Sequence, residues 1–110
     1  MDDADADDAY RFAIALDDVP PGRSRRCVID GRAVLVCNVG GDVYAIADTC
    51  THDHGPLGEG RLRGHLLECP RHGSRFDVRD GEPTTPPAMR PVATYAARVR
   101  NGSVEVLLVP

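Results

Sequence analysis

The chain has 110 residues and a mass of 11.9 kDa, room for one small domain and none for a second catalytic one, since domains typically run about 100–150 residues. Thirteen basic against seventeen acidic residues give a net charge of −4, which argues against a general phosphate-binding face and so against nucleic acid as a partner. No run of apolar residues is long enough to span a membrane, and the start of the chain carries neither a basic leader nor a twin-arginine pair. The expectation is a soluble, cytoplasmic protein with no membrane partner. There, four cysteines point to metal or redox chemistry before structural disulfides.

The first segment, residues 1–9, holds Asp2, Asp3, Asp5, Asp7 and Asp8 and reads as an acidic disordered tail, leaving a nearly neutral body. Beyond it, short β-rich runs alternate with turn signals. Residues 10–16 end at Asp17-Asp18-Val19-Pro20-Pro21-Gly22. Runs 24–29 and 32–38 flank Asp30-Gly31, the pair favoured in a two-residue type I′ hairpin because both central positions need positive φ. Gly40-Gly41 precedes the run 42–47, and Asn101-Gly102 repeats the hairpin signal between 95–100 and 103–108.

The middle, 48–80, differs: it holds Cys50, Cys69, all four histidines and the glycines 55, 58, 60, 64 and 73. That predicts loops bent tightly around a ligand rather than further strands. The proline-rich stretch 83–91 is expected to be an ordered loop returning to the last hairpin. The pattern as a whole predicts one all-β domain over 10–110. Both ends of the chain build a basal antiparallel sandwich or barrel, and a small ligand-binding part is inserted at about 48–76.

Cys50-Thr51-His52 and Cys69-Pro70-Arg71-His72 give the spacing C-x-H, sixteen residues, C-x-x-H. Two thiolates and two imidazoles suit zinc or iron, and composition does not choose between them. Spacing does: common zinc patterns pair Cys with Cys and His with His, whereas here each loop offers one of each. In a Rieske 2Fe-2S centre two cysteines hold one iron and two histidines the other, which two such loops satisfy.

The loop sequences extend the match. Residues 50–60, CTHDHGPLGEG, and 67–77, LECPRHGSRFD, resemble the two ligand loops of the Rieske-type 2Fe-2S ferredoxins that serve bacterial aromatic-ring-hydroxylating dioxygenases, and 81–87 resembles their proline loop. The resemblance covers roughly residues 10–108. It implies a Rieske-like fold with one cluster per chain, Cys50 and Cys69 binding the inner iron and His52 and His72 the outer one. It further implies a monomeric one-electron carrier between an NAD(P)H-dependent flavoprotein reductase and a Rieske non-haem iron oxygenase of aromatic hydrocarbon catabolism. The chain itself is then not an enzyme, in keeping with its lack of a G-x-G-x-x-G dinucleotide fingerprint. Metal-bound histidines with a free N–H can lose a proton, so the potential is expected to fall at alkaline pH.

Departures from the high-potential Rieske proteins of respiratory complexes carry information too. Gly55 and Arg71 stand where those proteins have a disulfide joining the loops, and Phe76 stands where they have a tyrosine that donates toward a cysteine sulfur. Ser74 matches a serine that donates to a bridging sulfide. Fewer donors toward sulfur imply a potential near the bottom of the Rieske range, about −150 to +300 mV.

Other residues have plainer expectations. Across a two-residue turn at Asp30-Gly31, Cys27 faces Val34 and Cys37 faces Ser24, on opposite faces of the sheet, so these thiols are expected free and packed as small hydrophobes. His54 is a substitute ligand only if the register shifts, and His65 is expected in solvent at a hairpin turn. Arg61, Arg63, Arg71 and Arg75 either form a basic rim that orients partners or are merely solvated among Asp53, Glu59, Glu68 and Asp77. Two rival readings are a Rieske-like small subunit of another oxidoreductase, such as a nitrite reductase, and a zinc-stabilised binding module.

Overall fold

The computed structural model describes residues 9–58 and 60–108; apart from Ala9, the expected acidic tail lies outside the described residues. Ten strands follow in order: β1 (Tyr10–Ala15), β2 (Ser24–Ile29), β3 (Arg32–Val39), β4 (Asp42–Ala47), β5 (Leu62–Arg63), β6 (Leu66–Glu68), β7 (Arg75–Asp77), β8 (Pro83–Thr85), β9 (Thr94–Arg100) and β10 (Ser103–Leu107), with one 3-10 turn at Leu16–Asp18. They form a six-stranded sheet in the order β1-β10-β9-β4-β3-β2 and a four-stranded sheet β5-β6-β7-β8, all antiparallel. β1 and β2, at the two ends of the larger sheet, approach one another and nearly close it into a barrel. No helix among the described residues is long and apolar enough to cross a membrane.

Local sequence sets the registers. Asp30 and Gly31 adopt φ of 49° and 80°, Asn101 and Gly102 adopt 52° and 75°, and the flanking pairs are Ile29 with Arg32 and Arg100 with Ser103. Both are the expected two-residue turns with positive φ at both centres. β3 is a continuous apolar run, Ala33-Val34-Leu35-Val36-Cys37, and it is buried on both faces. Val34 and Val36 point into the barrel with Val19, Cys27, Ile29, Ala45, Val104 and Val106. Leu35 and Cys37 point the other way, into a second core shared with the small sheet through Ile46, Leu57, Leu67, Phe76 and Val78. One strand thus serves as floor for both halves of the molecule.

The same register separates two thiols. Cys27 pairs with Val34 and Cys37 with Ser24, so they sit in different cores as free, buried cysteines. Burial pushes the Cys37 thiol up to about 12, with the Asp48 carboxylate adding to the effect.

The middle of the chain contains more strand than its glycines suggest. β5, β6 and β7 are two or three residues each, held by the inward pairs Leu62–Leu67 and Leu67–Phe76. Part of the proline-rich stretch is also strand: Pro83–Thr85 forms the edge strand β8 against β7, with Pro83 as its first residue, a place where the missing N–H breaks no ladder bond.

Candidate metal centre

The two ligand loops are the same closed turn built twice. In the first, the Cys50 amide donates to Gly55 O (2.7 Å) and the His54 amide to Cys50 O (2.7 Å). In the second, the Cys69 amide donates to Ser74 O (2.6 Å) and the Gly73 amide to Cys69 O (3.1 Å). The residue four after each cysteine must then be left-handed, and it is: His54 at φ 61° and Gly73 at φ 77°. Histidine tolerates this region better than most side chains. The turn accounts for His54's backbone, and its side chain is exposed.

These turns bring the two cysteines together and, separately, the two histidines, with Asp53 close to both pairs: its oxygen lies near the sulfurs and its Oδ2 is 3.4 Å from His72 Nδ1. Cys50 and Cys69 are buried at the inner layer, unpaired, in the same core as Leu57, Phe76 and Ala88. Their sulfurs and an Asp53 oxygen lie within 4.8 Å of one another. Burial pushes the Cys50 thiol up and the adjacent Cys69 adds to this, while the His52 and Asp53 amides directed at the sulfur lower it. At the outer layer the His52 and His72 rings meet edge to face, centroids 5.1 Å apart, and both residues are exposed.

A two-iron, two-sulfide group fits this donor set, because it needs thiolates on one iron and neutral imidazoles on the other, and here buried sulfur donors lie behind exposed nitrogen donors. Cys50, His52, Cys69 and His72 are the residues that could hold it. When bound, the group supplies a reversible one-electron couple.

Three cross-links brace the surrounding loops. Between the ligand loops, Arg71 donates from Nε to Asp53 Oδ2 (2.5 Å), from Nη2 to Asp53 Oδ1 (2.8 Å) and from Nη1 to Pro56 O (2.6 Å). Between the first loop and the segment after the prolines, Thr51 Oγ1 donates to Arg90 O (2.7 Å). Between the second loop and the same segment, the Ala88 amide donates to Ser74 Oγ (2.9 Å), leaving the serine proton free to point elsewhere. The Arg71 guanidinium holds the Asp53 carboxyl well below the usual carboxylate range, helped by the Gly55 amide, and Asp53 in turn raises Arg71. A Cβ on Gly55 would lie 2.7 Å from the Arg71 guanidinium, so a larger residue there would push this arginine from its present position. The first loop is tied to the base by Asp48, whose buried Oδ1 accepts from the Leu57 amide (2.8 Å) and whose Oδ2 lies 2.9 Å from Arg26 Nε.

Arg71 is exposed, as its place in the loop implies, and its guanidinium is held by Asp53 and Pro56. One expectation needs correction. His65 does occupy a turn, yet it is half-buried, packed edge to face against Tyr44 at 5.6 Å between centroids. The residue that sequence reasoning missed is Asp53, noted only as a scattered acid. Nothing local in the sequence signals it, since its partner Arg71 lies 18 residues away.

Comparison with known proteins accords with this geometry. Residues 10–96 match the Rieske [2Fe-2S] domain. The chain is 42% identical over 93 residues to Ferredoxin CarAc of Metapseudomonas resinovorans, covering 84% of this chain and 87% of that one. Its structure is similar to the ferredoxin of carbazole 1,9a-dioxygenase from Nocardioides aromaticivorans IC177, with a TM-score of 0.85, 35% identity, and coverage of 89% and 96%. It is also similar to a chain in the complex of reduced oxygenase and oxidized ferredoxin in carbazole 1,9a-dioxygenase, with a TM-score of 0.84, 37% identity, and coverage of 90% and 93%. With the paired loops, the donor set and a family match that spans most of its length, the chain belongs to the Rieske [2Fe-2S] domain family.

Proposed function

We propose that the protein is a one-electron carrier holding one Rieske 2Fe-2S cluster on Cys50, His52, Cys69 and His72. It takes electrons from an NAD(P)H-dependent flavoprotein reductase and delivers them to a Rieske non-haem iron oxygenase acting on aromatic compounds. The observation that carries this reading is the layering of the site: two buried thiols lie behind two exposed imidazoles. The exposed imidazoles would present the bound group to a partner's surface, while the cysteine side is buried. The names of the ferredoxin relatives support the oxygenase as acceptor. The reductase is assigned because a carrier without a nicotinamide or flavin site of its own must be reduced by a protein that has one.

The test is absorption and EPR spectroscopy of anaerobically purified protein before and after dithionite, with iron, sulfide and zinc analysis. A brown protein that bleaches, with two irons and two sulfides per chain and an average g-value below that of all-cysteine clusters, is the expected result. A colourless protein with stoichiometric zinc after cluster reconstitution would replace the carrier with a zinc-stabilised binding module.

A further inference from the structure

Every basic residue of the chain is arginine. Six of these, Arg11, Arg26, Arg71, Arg75, Arg79 and Arg98, lie within 4 Å of a carboxylate. The others have no carboxylate partner among the described residues, and four of them, Arg23, Arg25, Arg61 and Arg63, line one open cleft of about 430 Å³. All four are exposed. Among the described residues, their guanidinium groups make one hydrogen bond, from Arg25 Nη1 to the adjacent Ser24 O (2.9 Å). Among the described residues no acid lines the cleft. Four like charges gathered this way repel one another, in a molecule that is negative overall.

The layout indicates what neutralises them. Arg23 precedes β2 and Arg25 is its second residue on one wall, and Arg61 precedes β5 and Arg63 ends it on the other. Residues two apart in extended chain are roughly 6.6–6.8 Å apart on the same side. The two pairs thus spread four positive charges along the cleft, which suits a surface with several carboxylates better than one small anion. The cleft also stands beside the candidate metal centre. β5 pairs with β6, the Glu68 amide donates to Arg61 O (2.9 Å), and Cys69 follows Glu68. At Gly58 the cleft meets a second hollow that reaches His54, Pro70 and Arg71 on the ligand loops.

We infer that Arg23, Arg25, Arg61 and Arg63 form a docking site for a carboxylate-rich surface of an electron-transfer protein, placing that partner alongside the exposed histidines. This rests on the carrier reading above. Bidentate arginine–carboxylate pairs fix orientation as well as attract, and complementary charge raises the encounter rate at low salt.

The test uses cluster-loaded protein titrated calorimetrically with a short poly-L-glutamate peptide, and separately with inorganic polyphosphate, at low and moderate salt. Salt-sensitive binding of polyglutamate is expected, weakened roughly tenfold or more by the double variant Arg61→Glu/Arg63→Glu and changed less than about twofold by Arg32→Glu/Arg100→Glu. If the reversal on β5 prevents folding, Arg23→Gln/Arg25→Gln on the opposite wall must still weaken binding severalfold. Polyglutamate binding indifferent to all four arginines overturns the site, and tighter binding of polyphosphate through the same arginines overturns the carboxylate assignment. The cluster's EPR signal is recorded on each sample. A normal signal with arginine-independent binding removes the docking site alone. Arginine-dependent binding by a preparation that cannot hold a cluster removes the carrier reading, and with it the electron-transfer partner.

Discussion

Gly60 offers a measure of how closely the first ligand loop must approach the strand that delivers Cys69. A Cβ built on Gly60 would lie 1.8 Å from Glu68 O, 3.0 Å from Glu68 C and 3.1 Å from Leu57 O. An ordinary carbon–oxygen contact is about 3.3 Å or more, so in Gly60→Ala the two backbones must separate by roughly 1.5 Å. That motion strains the Glu68 amide to Arg61 O bond (2.9 Å) and the Gly60 amide to Leu57 O bond (2.8 Å). One such bond is worth about 0.5–1.5 kcal/mol and forced overpacking about 1–3 kcal/mol. A loss of about 2–4 kcal/mol follows, against a total of about 5–15 kcal/mol for a domain. The corresponding fall in melting temperature is roughly 10–30 °C. Gly58→Ala is the matched control, because its Cβ would meet Asp48 Oδ2 and Arg26 Cβ at 3.6 and 3.7 Å, ordinary contact distances. Thermal unfolding followed by circular dichroism, with iron release recorded in parallel, compares the two. If Gly60→Ala melts within a few degrees of Gly58→Ala and keeps iron as long, the close approach does not hold the site together.

Four other outcomes are expected. Arg71→Leu and Asp53→Asn should each shorten the half-life of the bound cluster, and the double variant should be little worse than either, since both break one link; additive losses in the decay of the visible absorption would refute the link. His54→Gly should retain a full cluster and be up to ~1 kcal/mol more stable in denaturant unfolding, because glycine accepts the left-handed turn freely, whereas loss of the EPR signal would make His54 a ligand. Phe76→Tyr should raise the midpoint by tens of millivolts, a modest part of the ~450 mV Rieske span, if its new hydroxyl reaches a cysteine sulfur; voltammetry showing no rise would exclude that reach. Cys37, with its thiol pushed up to about 12, should leave only about one part in ten thousand as thiolate at pH 8 and resist aromatic disulfide reagents until the protein is denatured; fast labelling of native protein would contradict its burial.

How much of this was legible in the sequence depended on whether the signal was local. Asp30-Gly31 and Asn101-Gly102 specify their own turns, and from the first of these the register that separates Cys27 from Cys37 follows by counting. The ligand spacing was equally plain, since each short motif closes its own loop. β5 to β8 were harder: a two-residue strand shows no alternation, and what stabilises it is contact across strands, Leu62 on Leu67 and Leu67 on Phe76. Pro83 hid β8 because proline argues against a strand everywhere except at an edge or a first position, and both conditions apply here. The Asp53–Arg71 pair joins residues 18 apart in sequence. Only the folded arrangement of two loops shows that Arg71 faces inward over Gly55 rather than outward. His65 was misjudged for a similar reason, as its ring finds Tyr44 on another sheet.

The Arg71–Asp53 link bears on assembly in the cell. A disulfide across two loops closes only when an oxidant takes electrons from two thiols, and in a reducing compartment it must be protected or made elsewhere. A guanidinium folded over a carboxylate closes by contact alone and reopens without chemistry. Such a link needs no oxidant to form, so it is compatible with the reducing conditions that iron–sulfur assembly requires. Because no thiols are used as the fastener, the latch also leaves no competing cysteine pair to capture incoming metal.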